Sequence, residues 1–256
     1  GFNALTTALL DELQRRDIFL IEDVCESHGA THKGLKLGNF GWASNFSFYY
    51  AHHMSTIEGG MLCTNYFDLY QTFRMLRSHG MVRESSSDTL KNTYEKQYRD
   101  LNPDFIFAFP AYNVRNNEIG AIMGRNQLKR LDENIQLRNR NFKLFLDHLD
   151  VSKYRTDFSL EGSSNYALNL ILQHADIPFT ERLMKRMSDE KIEFRRGSAG
   201  GGNQLRQPYL IKIMGDTNQN FPEVDHIHFH GFYIGNFPSL EEGKIIKLCN
   251  ILNSVE

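Results

Sequence analysis

The chain has 256 residues, of which 41% are hydrophobic, and its formal net charge at pH 7 is −2. This is the composition of a globular protein, and the balanced charge excludes the basic surface of a nucleic-acid-binding protein and the polybasic patch of a membrane-bound one. The apolar runs are too short to span a bilayer, and the start of the chain shows no secretory signal. These features predict a cytoplasmic protein with neither nucleic acid nor a membrane as a partner.

The three cysteines, Cys25, Cys63 and Cys249, lie far apart in the chain. An odd number of scattered cysteines predicts a reducing compartment and no disulfide framework. Three thiolates also fall short of the four that an iron–sulfur cluster usually needs, so no such cluster is expected.

Helix and strand patterns alternate in the first half of the chain. Apolar residues at 5, 9, 10 and 13 predict a helix over 5–16, and residues 17–23 have the pattern of a buried strand that ends in two carboxylates. Further strands are predicted at 45–50 and 60–64, further helices at 66–78 and 117–149, and an exposed polar loop at 85–98. This order of elements favours an α/β domain built on a parallel sheet.

The pattern changes after Asp150. Strands are predicted at 165–172, 192–194 and 230–235, helices at 180–190 and 240–252, and a flexible glycine-rich loop at 197–202. This order is typical of an α+β domain, and the helix over 117–149 is expected to bridge it to the first domain. Domains are therefore predicted at 1–135 and 136–256.

Polar residues at the predicted strands could carry chemistry. Asp23 ends a buried strand, where open α/β sheets bind ligands, so its carboxylate could hold a protonated pyridine nitrogen or serve as a cap. His52 and His53 are expected on one strand with their side chains on opposite faces, so that one faces a site and the other packs. Ser47 could hold a phosphate or be an ordinary strand serine. No zinc motif accompanies the histidines, so no metal is expected.

Four motifs follow one another in the order and spacing of a known family. The chain resembles the DegT/DnrJ/EryC1/StrS sugar aminotransferases in LIEDVCESHGA at 20–30, FSFYYAHHMSTIEGG at 46–60, RSHG at 77–80 and PAYNVRNNE at 110–118. The resemblance implies an aspartate-aminotransferase-like α/β fold (fold type I of the pyridoxal-phosphate enzymes), with a three-layer α/β/α large domain and a smaller C-terminal α+β domain. It also implies that a segment of the large domain precedes Gly1, so that residues 1–135 supply only its C-terminal portion.

The resemblance implies a pyridoxal 5′-phosphate or pyridoxamine 5′-phosphate cofactor and assigns residues to it. Asp23 would pair with the pyridine nitrogen, Glu26 would lie near the cofactor or substrate, and Ser47 would hold the cofactor phosphate. Asn113 would reach the phosphate in the other subunit of a homodimer, although an asparagine here could also sit in a turn.

Four further residues would contact the substrate if the resemblance holds. His79 would reach the active site of the other subunit, whereas its alternative role is to cap the preceding helix. Arg195, Asn203 and Gln204 fall where the small domain of the family meets the substrate. The sequence Arg195-Arg196 departs from the Arg-Pro pair expected there, and Arg195 could instead be a surface cation.

His52 falls where the aminotransferases of the family carry the lysine that holds the cofactor, and no lysine occurs between Lys36 and Lys91. Histidine can move a proton near neutral pH but cannot hold an aldehyde as an imine. The exchange resembles the 3-dehydratase branch of the family, which implies His52-catalysed removal of the 3-hydroxyl from a nucleotide-linked 4-keto-6-deoxyhexose, with glutamate as amino donor. Two alternatives stay open: transamination of a sugar on the same scaffold, and a non-catalytic remnant or binding domain.

Overall fold

The computed structural model describes residues 1–197, 201–215 and 220–256, so part of the predicted loop at 197–202 lies outside the described residues. The chain divides into two compact units, of which the first is Asn3–Leu131 and the second joins Gly1–Phe2 to Asp132–Glu256. Among the helices of these ranges, none combines the length and the apolar character needed to cross a bilayer.

The first unit begins with a capped helix, which five strands and then three further helices follow. Thr6 accepts a hydrogen bond from the Leu9 N–H and thereby caps the first helix. In chain order the elements are α1 (Thr7–Arg15), β1 (Ile21–Asp23), β2 (Thr31–His32), β3 (Leu35–Lys36), β4 (Ala43–Ser47), β5 (Gly60–Cys63), α2 (Phe67–Leu76), α3 (Asp88–Gln97) and α4 (Glu118–Leu128).

A three-stranded sheet carries the residues of the candidate site. Its order is β1-β4-β5, with β1 parallel to β4 and β4 antiparallel to β5. The parallel pair places the carboxyl ends of β1 and β4 at one edge, where Asp23 lies opposite Asn45 and Ser47 follows two residues later. The small hairpin of β2 and β3 stands between these two strands in the chain.

Residues 85–98 contain α3, so the prediction of an exposed loop was wrong. Ser87 caps this helix by accepting a hydrogen bond of 3.2 Å from the Leu90 N–H. Leu90 and Tyr94 pack against a buried cluster of Met75, Val82 and Ile106. The sequence of α3 is mostly polar because only this narrow stripe faces the interior.

The helix predicted over 117–149 is two helices, α4 and α5 (Leu131–His148). Asn117 caps α4 by accepting a hydrogen bond of 2.8 Å from the Gly120 N–H. A turn at Lys129 and Arg130 separates the two helices, and there the Arg130 N–H donates to the Gln127 carbonyl.

The second unit consists of most of α5 followed by an antiparallel sheet and four helices in the described residues. Its further elements are β6 (Ala167–Ile171), α6 (Ile177–Asp189), β7 (Phe194–Arg196), α7 (Pro208–Met214), α8 (Pro222–His230), β8 (Gly231–Gly235) and α9 (Glu242–Asn253). The strand order is β6-β8-β7. A continuous apolar core includes Phe142, Phe145 and Tyr154, all fully buried, and the Tyr154 hydroxyl donates to the Leu252 carbonyl.

Candidate active site

Asp23 is the last residue of β1, and its carboxylate is exposed at the edge where β1 and β4 end. Its Oδ1 atom accepts hydrogen bonds of 3.1 Å from the Cys25 N–H and from the Asn45 side-chain amide. Partial burial raises the pKa of this carboxyl, but the hydrogen bonds from Cys25 and Asn45 and the charge of His52 outweigh that effect and lower it. Asp23 is therefore an ionised carboxylate in a fixed position.

Cys25 lies directly beside this carboxylate. Its sulfur is 3.1 Å from the Asn45 amide nitrogen. Burial and the neighbouring Asp23 raise the pKa of the Cys25 thiol to about 12. The thiol is consequently protonated at neutral pH.

Glu22 fixes the end of β1 from the opposite face of the strand. Its buried carboxylate accepts three backbone hydrogen bonds, of 2.6 Å from Gly38 and of 2.7 Å from both Phe40 and Gly41. Such an arrangement holds the segment before β4 against β1 and satisfies a charge that would otherwise be costly to bury. The sequence pattern predicted no role for Glu22.

His52 and His53 lie in a turn, so the prediction that they share a strand was wrong, and the strand predicted through residue 50 is shorter than expected. β4 ends at Ser47, and the turn is closed by two backbone hydrogen bonds, from Phe48 N–H to the Gly59 carbonyl and from Thr56 N–H to the Phe48 carbonyl. Within the turn the His52 N–H donates to the Tyr49 carbonyl at 3.0 Å. The histidines are thus held by turn geometry and not by the alternation of a strand.

His52 faces the other polar residues of the site. Its Nε2 atom is 3.7 Å from Oε1 of Glu26, and its side chain is only 13% exposed. The charge of His52 also contributes to the lowered pKa of Asp23. The structure therefore brings three of the predicted site residues, Asp23, Glu26 and His52, into one cluster.

His53 points into the protein, where its ring stacks on His28 at 5.7 Å between centroids. Both residues are buried, and His28 also contacts the rings of Phe46 and Phe48 edge-on. Burial first, and then repulsion from His52, lower the pKa of His28 to about 4 despite a hydrogen bond to the backbone of Ser47. His28 is therefore an uncharged ring packed beneath the turn, and in the sequence its position in the first motif was the signal for it.

Ser47 ends β4 at the same edge of the sheet as Asp23. Its hydroxyl oxygen accepts a hydrogen bond of 3.3 Å from the Tyr49 N–H, and the residue is partly exposed. A hydroxyl in this position can donate its proton to an anionic oxygen.

His79 and Asn113 are brought next to each other on the surface of the first unit. Ser78 and Asn113 form an isolated antiparallel bridge, and the His79 N–H donates to the Tyr112 carbonyl at 2.6 Å. Both His79 and Asn113 are exposed. The φ angle of His79 is +61°, so this pairing requires the left-handed backbone conformation at a non-glycine residue.

The remaining predicted residues belong to the second unit. Arg195 on β7 holds its guanidinium 5.8 Å from the ring centre of Tyr233. Asn203 is buried and donates a hydrogen bond of 2.7 Å to Asp225, whereas Oε1 of Gln204 accepts one of 3.0 Å from the Tyr209 hydroxyl. Asn203 therefore has a structural partner of its own.

The sequence pattern of the DegT/DnrJ/EryC1/StrS aminotransferase family matches residues 6–253 of the chain. The chain is 30% identical over 239 residues to GDP-4-keto-6-deoxy-D-mannose 3-dehydratase of Yersinia pseudotuberculosis. This alignment covers 93% of the chain and 60% of that protein.

Two solved structures are similar to the chain. The E. coli GDP-4-keto-6-deoxy-D-mannose-3-dehydratase with bound hydrated PLP matches with a TM-score of 0.81 and 28% identity, over 95% of this chain and 62% of that one. A GDP-4-keto-6-deoxymannose-3-dehydratase with a trapped PLP-glutamate geminal diamine matches with a TM-score of 0.81 and 27% identity, over 95% and 63% of the two chains. The predicted fold is confirmed, and the chain spans about 60% of the length of the proteins that it matches.

Proposed function

Because the chain belongs to the DegT/DnrJ/EryC1/StrS aminotransferase family, we propose that it catalyses the pyridoxal-phosphate-dependent removal of the 3-hydroxyl from a nucleotide-linked 4-keto-6-deoxyhexose in deoxysugar biosynthesis. The observation that carries the proposal is His52, which lies 3.7 Å from Glu26 in a segment without lysine. The relatives named as 3-dehydratases support the same reaction.

The residues of the first unit fit the cofactor. A protonated pyridine nitrogen needs an ionised carboxylate as its partner. The carboxylate of Asp23 is exposed, two hydrogen bonds hold it in place, and its pKa is lowered. Ser47 offers a hydroxyl for the phosphate at the same edge of the sheet, and Glu26 lies beside His52. When bound, the cofactor supplies an electron-withdrawing ring that stabilises the charge formed when a proton leaves the adjacent carbon.

His52 would move that proton. The carboxylate of Glu26 lies 3.7 Å from its Nε2 atom and would orient the ring, and the imidazole of His52 would accept the proton and then deliver it to the departing 3-hydroxyl group of the sugar. A histidine does not bind the cofactor covalently, which lysine does in an aminotransferase. Elimination of the hydroxyl is therefore favoured over transfer of an amino group.

The remaining assignments follow from the same family membership. Glutamate would recharge the cofactor, and the substrate would be bound by His79, Arg195, Asn203 and Gln204. His79 and Asn113 are exposed side by side, which suits residues that reach the active site of a second subunit in a homodimer. Residues 1–135 would belong to the large domain and residues 136–256 to the small one.

Product analysis tests the proposed reaction. The protein, supplied with pyridoxal phosphate, glutamate and either the GDP- or the CDP-linked 4-keto-6-deoxyhexose, should release ammonia and a 3-deoxy sugar. A stable aminosugar would instead establish the transaminase alternative. Absence of both products, together with no change in cofactor absorbance, would contradict the proposal and favour a non-catalytic protein.

Borohydride reduction tests the role of His52 separately. Reduction should leave no cofactor attached to the wild-type protein or to the matched His52→Asn variant, since neither has a lysine in this turn. His52→Lys should yield a stable adduct of protein and cofactor, detected by mass spectrometry, and should lose dehydration. Retained dehydration in His52→Lys, or an adduct in the wild type, would show that His52 is not at the position of the cofactor lysine.

A further inference from the structure

The Gln127 side chain of α4 forms two hydrogen bonds with the turn that carries His52. The Ser55 N–H donates to Oε1 of Gln127 at 3.1 Å, and Nε2 of Gln127 donates to the Ser55 carbonyl at 2.7 Å. A single carboxamide thus satisfies both backbone groups of a residue three positions after His52, as a neighbouring strand would. The two residues are 72 positions apart in the chain.

Two backbone hydrogen bonds close the base of the turn. Backbone hydrogen bonds join Phe48 to Thr56 and to Gly59, whereas Ser55 is held by Gln127 from outside the turn. Without the carboxamide, the segment between Tyr49 and Ser55 would be closed by fewer hydrogen bonds and would open more readily.

The close approach of α4 makes this contact possible. A Cβ atom at Gly124 would lie 3.2 Å from the Thr56 methyl, and one at Gly120 would lie 3.5 Å from Cβ of the same threonine. The two glycines therefore let the helix backbone come close to the turn. Gln127 follows Gly124 by three positions, so its side chain lies on the same face of the helix and reaches Ser55.

We propose that Gln127 is a positioning residue that fixes His52 relative to Glu26. The inference rests on the proposed role of His52 as the proton carrier. The carboxamide of Gln127 offers the donor and the acceptor that the two backbone groups of Ser55 require. Glutamate would place a second acceptor against the Ser55 carbonyl, and methionine, which has a similar shape, would offer neither group.

The test compares Gln127→Met and Gln127→Glu with Asn126→Ala, an exposed neighbour on the same helix. Amide hydrogen exchange of the peptide covering residues 49–56 is measured by mass spectrometry on the cofactor-loaded protein. Gln127→Met should exchange about tenfold faster or more, since two hydrogen bonds are lost, and the control should exchange like the wild type. The kcat of Gln127→Met should fall about tenfold with KM nearly unchanged, because proton transfer depends on orientation.

Each result has a defined meaning. Unchanged exchange in Gln127→Met would show that Gln127 does not stabilise the turn. Faster exchange with unchanged kcat would show that Gln127 does not position His52 for the reaction. Gln127→Glu should keep part of the protection, because its carboxylate still accepts from the Ser55 N–H. Exchange in Gln127→Glu as slow as in the wild type would contradict the two-point contact, because the bond donated by Nε2 of Gln127 would then add nothing. If the wild type has no turnover, the proposed function fails while the exchange data still decide whether Gln127 holds the turn.

Discussion

His28 is the residue whose surroundings most change its chemistry. Its ring is 3% exposed, contacts two phenylalanines edge-on and stacks on His53. Burial, followed by repulsion from His52, lowers the pKa of His28 to about 4. At neutral pH this imidazole is therefore uncharged.

The lowered pKa of His28 makes stability depend on pH. Between its ordinary pKa of 6.5 and about 4, the unfolded chain binds more protons than the folded chain. The free energy of unfolding is therefore not reduced by this group above pH 6.5. It decreases as the pH falls towards 4, by up to about 3 kcal/mol. In urea unfolding at roughly pH 7 and pH 4.5, the difference in unfolding free energy between the two pH values should be smaller for His28→Gln than for the wild type.

His148→Gln is the control for that experiment, because His148 is exposed on α5. It should leave the pH dependence of the wild type intact. An equally steep decrease in His28→Gln would mean that other groups cause the loss of stability.

Some residues of the candidate site could be predicted from the sequence, and others could not, for a physical reason. Asp23 and His52 were predicted because a strand end and a family motif mark them. Glu22 forms hydrogen bonds with residues 16–19 positions away, and Gln127 with a residue 72 positions away. In both cases the partner contributes a backbone group, which every residue possesses. A contact with a backbone amide leaves no pattern in the sequence of its partner.

The same limit applies to whole elements. Residues 45–50 are aromatic and favour a strand, but the ladder between β4 and β5 stops at the pair Ser47–Gly60. Helix α3 depends on its Ser87 cap and on a narrow apolar stripe, which the many polar residues conceal. α7 and α8 are short and begin with Pro208 and Pro222, a signal that is typical of a first helical position but also of turns.

The segment after α2 turns sharply to present His79. Gly80 has a φ angle of +77°, and a Cβ atom there would lie 2.0 Å from the Phe109 carbonyl oxygen. Gly34 has a similar φ angle of +80° with nothing within 4 Å, so Gly34→Ala measures the cost of backbone strain alone. Gly80→Ala should destabilise by at least about 2 kcal/mol more than Gly34→Ala in chemical denaturation. Equal losses would mean that the turn can relax away from Phe109.

The two units differ in how their interiors are built. Among the twelve largest fully buried side chains of the described residues, all but Val24 belong to the second unit. The first unit instead exposes large apolar side chains on its sheet, such as Ile21, Met61 and Leu62. Local stability follows buried apolar surface, so the unit that carries the candidate cofactor site is expected to be the less stable one.

Hydrogen exchange over the whole chain can check this difference. Without cofactor, amides of β1, β4 and the His52 turn should exchange faster than those of β6 and β8. Pyridoxal phosphate should slow exchange in the first group only, since a ligand stabilises the folded state of the part that binds it. Inorganic phosphate is the control and should protect much less. Uniform protection of both units by the cofactor would contradict a cofactor site confined to the first unit.

The thiol beside Asp23 has a consequence for the redox behaviour of the whole chain. Only a thiolate reacts readily with alkylating reagents and oxidants. Burial is the largest cause of the raised pKa at all three cysteines. It raises the thiol pKa to about 12 at Cys25 and Cys249, and it also raises the thiol pKa of Cys63. The chain should therefore resist iodoacetamide and peroxide at neutral pH.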